Sequence, residues 1–458
     1  MEALIVIFVT GLISMFIAMA RKPFLVLITA LLGLITAGTL FIYRWFNIFN
    51  ENYKGLELKY EGLQFDMFSI SYSTIAILFS LMIILVGYQK FKEEIEHTGE
   101  YISLLLFSLC GVICLFSFTD LFMFFLGLEI MSIPIYVMAG SKKKDLLSSE
   151  SALKYFFTGS FATGILLFGI AWVYGALGTF SLIEINDLMY NSTPHSSLLN
   201  VGIILILASF LFKIGAVPFH FWSPDVYAGS PNIVTSFMAT VVKMGAFAAF
   251  FRLFGLAFSG LNEFFTDLIV IVSIITMFVG NLSALKQTKF KRLLAYSSIT
   301  HVGYALICML DSNLYSAFNL WVYLFAYGFS VIALIIISLI IDDEEDNITS
   351  YKSFARNHPF AGLVMILALL SLAGVPPLTG FFGKYLVFYS AISTHTSLIV
   401  LALINSGIAI YYYLKLIILA LSKNEDEISE TKSIPKIYCT VLLICFLGLL
   451  FGGMITWF

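Results

Sequence analysis

Apolar runs of membrane-crossing length follow one another along almost the whole of this chain, with most charges confined to the gaps between them. About 20 apolar residues span the hydrocarbon core as a helix, and only helices or closed barrels satisfy their backbone at that depth. Window reading gives about fourteen runs, at 3–20, 24–43, 67–88, 101–118, 119–140, 148–176, 199–226, 232–258, 264–285, 293–310, 314–341, 359–394, 398–421 and 435–457. Only 12% of the 458 residues are charged, about half the fraction of a soluble domain. The expected fold class is an all-α polytopic membrane protein of about 14 transmembrane helices. Leu4 to Met19 reads as a first span and not a cleavable leader, because the positive pair Arg21-Lys22 follows it. A net charge of −3 speaks against a nucleic-acid partner and leaves the lipid bilayer as the surroundings.

Two runs, 199–226 and 359–394, are too long for one plain helix, and each is broken by proline, at Val217-Pro218 and Val375-Pro376-Pro377. Proline removes a backbone donor and opens a helix. The seventh and twelfth helices are therefore expected to be broken, as at the ion sites of transporters. The two Val-Pro pairs lie 158 residues apart, and the fourth to eighth runs (101–258) and the ninth to thirteenth (264–421) each cover about 158 residues. Five helices followed by five more implies an inverted repeat, since five is odd. The expected organisation is three helices and a polar loop in 1–100, a first five-helix repeat in 101–258, a second in 259–421 and a last helix in 422–458. Within it, 44–66 reads as a short hairpin and Asp342–Asp346 as a solvated loop.

Sixteen Lys and Arg residues fall in one alternate set of loops, three in the other (Arg44, Lys54, Lys59) and six within runs. By the positive-inside rule both termini face outward. The five cysteines, Cys110, Cys114, Cys308, Cys439 and Cys445, lie in apolar runs without cluster spacing and read as small apolar residues. No metal-binding His pair, phosphate loop or dinucleotide fingerprint occurs.

The functional signal is charge where none belongs. Glu129, Lys213, Lys243 and Lys384 sit near the middle of apolar runs. Each costs roughly 2.5–3.5 kcal/mol at helix centre, and such residues usually mark an ion or proton path. For Glu129, burial opposes the charge while a nearby lysine favours it, the conflict a switchable site needs. Lys213 lies just before the first break, where freed carbonyls are candidate partners for its ammonium. Lys243 is too deep to snorkel, and Lys384 stands just beyond the second break. His301, with Ser297, Ser298, Thr300 and Tyr304 around it, is placed to relay protons. His220 is open between relay and packing, and Lys154 between snorkelling and tuning a neighbour. Arg252 and Lys415 lie nearer run ends and are expected to snorkel.

The segments FKIGAVPFHFWSPDVYAGSPNIVTSFMATVVKMGAF (212–248) and GNLSALKQTKFKRLLAYSSITHVGYAL (280–306) closely resemble the antiporter-like membrane subunits of respiratory complex I. PDVYAGSP (224–231) and the lysine of GFFGKYLVF (380–388) make the chain similar to the N-type among them. The resemblance covers about 100–421; the rest matches in hydropathy alone. It departs from the M-type, which has a glutamate where Lys384 stands, and from the L-type, which continues into a long lateral helix.

The resemblance implies that Glu129 couples to the neighbouring subunit, Lys213 holds a proton centrally, Lys243 connects, His301 relays and Lys384 ends the path. Lys154 matches the family's sixth-helix lysine. It further implies no cofactor in this chain, with flavin, iron–sulfur clusters and quinone in other subunits. K-type and M-type neighbours and a bacterial inner-membrane location are implied as well. A unit charge ~8 Å from a lysine, at an effective dielectric of ~20, is worth about 2 kcal/mol, enough to move a tuned proton. The alternative within the same fold is the D-type subunit of a multisubunit Na⁺/H⁺ antiporter.

Overall fold

The structure is a computed structural model and describes residues 1–49, 58–94, 98–142, 144–191, 197–258, 263–311, 314–423 and 433–457. In chain order the first helices are α1 (Glu2–Met19), α2 (Pro23–Phe49), α3 (Met67–Glu94), α4 (Thr98–Ser117), α5 (Leu121–Ala139) and α6 (Leu146–Leu177). Then come α7 (Leu182–Asn191), α8 (Ser197–Ile214), α9 (Trp222–Gly229), α10 (Asn232–Leu256), α11 (Glu263–Ala284) and α12 (Phe290–Ile307). The last are α13 (Leu314–Ile341), α14 (Phe354–Asn357), α15 (Pro359–Ala373), α16 (Thr379–Ala391), α17 (Thr396–Leu421) and α18 (Lys436–Phe451).

Among the described residues twelve helices are long and apolar enough to cross a membrane, so the chain is a multi-pass membrane protein. Two of the fourteen expected runs are not in that set. The run at 293–310 does form a helix, α12, but Lys291, Arg292, Ser297, Ser298, Thr300 and His301 lower its apolarity. The run at 359–394 is split into α15 and α16, each shorter than a full crossing. Short α7 and α14 were not legible as separate helices.

Both breaks fall where the prolines predict. Helix α8 stops at Ile214 and Gly215 turns to φ 75°; α15 stops at Ala373 and Gly374 turns to φ 85°. A left-handed residue of this kind closes a helix C-terminus and favours glycine. Gly374 N–H donates to the Leu370 and Ser371 carbonyls, both at 3.0 Å. Beyond the first break, the freed Val217 N–H donates to Thr276 Oγ1 at 3.1 Å. The Val217-Pro218 and Pro376-Pro377 peptides are cis.

The chain divides into two compact units, Met1–Ile214 with Gly229–Asn262, and Gly215–Ala228 with Glu263–Phe458. In the first, α5 begins on Asp120, whose side chain accepts from Met123 N–H at 2.7 Å, and α6 begins on Asp145 in the same way. Helices α6 and α8 approach through facing glycines: a Cβ on Gly169 would stand 2.9 Å from the Gly202 carbonyl. Helix α10 lies at the centre of this unit, its spanning window buried throughout. The expected hairpin is present over the end of its range, as β1 (Leu58–Tyr60) and β2 (Leu63–Phe65), paired antiparallel with Leu58 opposite Phe65. Helix α2 takes the beginning of that range, running on to Phe49.

Three expectations about charge and loops are revised. Arg252 does not snorkel. It is 4% exposed, donates from Nε to the Phe118 carbonyl and pairs with Asp66, both at 2.7 Å. The acidic run is an organised turn and not simply solvated. Asp343 accepts from Ser350 Oγ and the Asn347 N–H, and the serine bond chiefly holds its carboxyl below the usual range. Asp346 accepts from Lys291 N–H at 2.6 Å and is pushed up by burial. Finally, Lys213 donates to a tyrosine hydroxyl and not to a freed carbonyl. Lys415 is exposed, and four of the five cysteines are buried with Cys439 half-buried.

Candidate functional site

The first unit holds four of the singled-out residues. Glu129 is half-buried on α5, and its Oε1 accepts from Thr163 Oγ1 of α6 at 2.7 Å. Lys213, one residue before the end of α8, donates to the Tyr136 hydroxyl at 3.2 Å and lies 5.4 Å from that ring's centre. Lys243 is 8% exposed on α10, directly after a π-helical turn at Met238–Val242. Such turns widen the helix and often accompany functional sites. Lys154 lies apart from these at the surface of α6, ion-paired at 2.6 Å with Glu150 one turn earlier.

The second unit holds the rest. His301, on α12, is 5% exposed. Its Nδ1 meets the Tyr323 hydroxyl at 2.6 Å and its Nε2 the Tyr413 hydroxyl at 3.2 Å. Lys384, on α16, is also 5% exposed, donates to the Ala373 carbonyl at 2.9 Å and to Ser406 Oγ at 3.1 Å, and stands 5.0 Å from the Tyr304 ring centre. Ala373 is the last residue of α15, so here a carbonyl freed by the break does hold an ammonium. A Cβ on Gly374 would approach Lys384 Cδ to 2.8 Å. Glycine thus provides both the turn and the room for the lysine. His220 is buried against Phe221, with Nδ1 unpartnered.

Buried neutral groups connect His301 with Lys384. Tyr413 is hydrogen-bonded to Tyr412, which donates to Asn281 Oδ1 at 2.8 Å. Asn281 donates to Asn405 Oδ1 at 2.5 Å, the same oxygen accepts from Tyr304 at 3.0 Å, and Tyr304 is bonded to Ser406. Hydroxyls pass protons readily, whereas a side-chain amide has no titrating proton to give. The Asn281–Asn405 pair therefore fixes the orientation of the tyrosines without itself carrying protons. Among the described residues no three His, Cys, Asp or Glu groups gather to hold a metal ion.

Reading the sequence for charge missed these partners. Thr163, Tyr136, Tyr323, Tyr413, Asn281, Asn405 and Ser406 are neutral, and hydroxyls are common in membrane helices. The signal available was the two asparagines in apolar runs, whose amides require partners in hydrocarbon.

The family described as NADH:quinone oxidoreductase/Mrp antiporter, transmembrane, matches residues 119–409. NADH-quinone oxidoreductase subunit N of Cytophaga hutchinsonii is 36% identical over 431 residues, 93% of this chain and 91% of that protein. The subunit N of Flavobacterium psychrophilum is 35% identical over 450 residues, 97% of this chain and 96% of that one. A chain of respiratory complex I from Thermus thermophilus superposes with a TM-score of 0.83 at 30% identity, covering 99% of this chain and 98% of that one. A chain of the Mrp complex from Dietzia sp. shares the fold, with a TM-score of 0.84 at 19% identity and coverage of 99% and 95%. The likeness thus extends well beyond residues 100–421 and takes in both broken segments. On that ground the chain belongs to the NADH:quinone oxidoreductase/Mrp antiporter family of membrane subunits, in its subunit N branch.

Proposed function

We propose that this chain is the proton-translocating N-type subunit of an NADH-quinone oxidoreductase, a translocase of the respiratory membrane. Lys384 carries the reading. Its buried ammonium is held by a helix-end carbonyl and a serine hydroxyl, and among the described residues it pairs with no carboxylate that would fix its charge. Structural stability is poorly served by such an arrangement, and reversible protonation is well served.

In this reading quinone is reduced elsewhere in the assembly, where flavin and iron–sulfur clusters reside, and this chain carries no redox centre. Energy reaches it as a change of charge near Glu129, on the side of a K-type or M-type neighbour. While Glu129 is negative, Lys213 keeps its proton. When that charge is withdrawn, the proton leaves toward Lys243, then His301 and Lys384, with water completing the steps. Because the amides of Asn281 and Asn405 do not titrate, the last step runs beside that pair and not through it. Lys154, paired with Glu150, acts on the surface charge of α6. The positive loops face the cytoplasm, and both termini face outward across a bacterial inner membrane.

The competing assignment is a D-type antiporter subunit. Gentle purification through a tag on this chain separates the two. We expect co-purifying flavin and iron–sulfur absorption, with quinone reduction by NADH that is indifferent to sodium. Sodium-dependent proton exchange without any redox centre in the preparation would overturn the proposal.

A further inference from the structure

Glu129 and Lys213 each bond to a neutral hydroxyl: the carboxylate to Thr163, the ammonium to Tyr136. Lys213 and Thr163, the partner of Glu129, both line one cavity of about 10 Å³, whose polar lining is Thr163, Ser209 and Lys213. That is near the smallest space that holds one water, and a buried water needs two to four polar partners.

The hydrogen-bond directions are compatible with such a water. The Thr163 hydroxyl has one proton and two acceptors in reach, Glu129 Oε1 at 2.7 Å and the Gly159 carbonyl at 3.2 Å; given to the nearer, charged one, it leaves the oxygen free to accept. The Ser209 proton points at the Ala162 carbonyl at 2.8 Å, so its oxygen is left to accept as well. Lys213 has three N–H donors and gives one to Tyr136. A water in the cavity accepts from Lys213 and donates to Thr163 and Ser209. From Lys213 through water and Thr163 to Glu129, every donor then points from ammonium to carboxylate.

We propose that Thr163 is the positioning residue through which Glu129 acts on Lys213, by way of a single water in this cavity. The inference rests on the reading of Glu129 and Lys213 as a coupled pair. It adds a two-state element to that pair. Ionised Glu129 accepts from Thr163 and sets the chain in the direction that suits an ammonium. Neutral Glu129 can give its own proton to the Thr163 oxygen. Thr163 then donates to the water, and the water turns a hydrogen toward Lys213, a direction that suits the neutral amine. The reversal of one hydroxyl and one water thus reports the charge of Glu129 at Lys213 without direct contact. Tyr136 completes the arrangement by holding Lys213 at the cavity wall. Gly159 makes room for it, since a Cβ there would run into the Tyr136 hydroxyl.

The test uses the whole complex in its membrane, with Thr163→Val, which removes the hydroxyl at nearly constant shape, and Thr163→Ser, which keeps it. Assembly is followed by native gel, and electron transfer to an artificial acceptor at the soluble arm serves as the control. Losing a hydrogen bond to a charged group is expected to lower coupled quinone reduction and proton pumping about tenfold in Thr163→Val. Thr163→Ser should stay within about twofold of the parent. Leu128→Phe, which fills the cavity from another wall while leaving the hydroxyl, should fall as Thr163→Val does, and decides the matter if Thr163→Val does not assemble. Parent rates in the assembled Thr163→Val or in Leu128→Phe, or an equal loss in Thr163→Ser, would overturn the inference. Lys213→Met, measured alongside, separates the two ideas: full activity there defeats the coupled-pair reading itself, whatever Thr163 does.

Discussion

Arg252→Ala is expected to lower the stability of the chain by about 3 kcal/mol, the lower end of the cost of removing one partner from a buried ion pair, because Asp66 is 24% exposed. The guanidinium serves two acceptors at once, the Phe118 carbonyl ahead of α5 and the Asp66 carboxylate ahead of α3. Asp66 also accepts from the Ser69 N–H at 2.8 Å and so caps α3. Alanine leaves the carbonyl and the carboxylate without their cation at the point where the hairpin joins the helices. Against a total stability of about 5–15 kcal/mol for a typical fold, the loss is large. Native gels should show little assembled complex, and the residue that assembles should melt at lower temperature. Arg252→Lys should be intermediate, because an ammonium lacks the planar fork that reaches both acceptors. Unchanged assembly and melting in Arg252→Ala would show the pair to be dispensable.

Lys384→Met is expected to do the opposite. An apolar side chain of similar length replaces a buried charge, and such replacements are often neutral or stabilising. The complex should therefore assemble and melt no lower than the parent. Coupled quinone reduction and pumping should nevertheless fall by roughly a hundredfold, in the range typical of losing a positioned proton donor. A fall in melting temperature alongside normal pumping would place Lys384 among the structural residues.

The contrast between Arg252 and Lys384 shows what a linear sequence conveys here. A charge in mid-run is legible because nothing in hydrocarbon explains it, and so Glu129, Lys213, Lys243 and Lys384 stood out. The prolines marked both breaks, because the lost backbone donor is a local fact. Arg252 was misread because its partner lies 186 residues away in sequence. Near a run end, a side chain reaching for headgroups and one reaching for Asp66 look the same. Neutral partners were harder still. Thr163 resembles any threonine on a long helix, and only packing α5 against α6 brings it to Glu129. The acidic turn followed the same rule: Asp343 and Asp346 read as solvated charge until Ser350 and the start of α12 were brought beside them.

Lys213 stands between Glu129 and the rest of the proposed path, so its loss interrupts proton transfer at the first step. The decisive measurement is proton pumping against electron transfer in membranes carrying Lys213→Met, with assembly followed on native gels. The expected result is a complex that forms normally while pumping and coupled quinone reduction both collapse. A fully assembled complex that pumps at the parent rate would contradict it, and would leave this chain a scaffold.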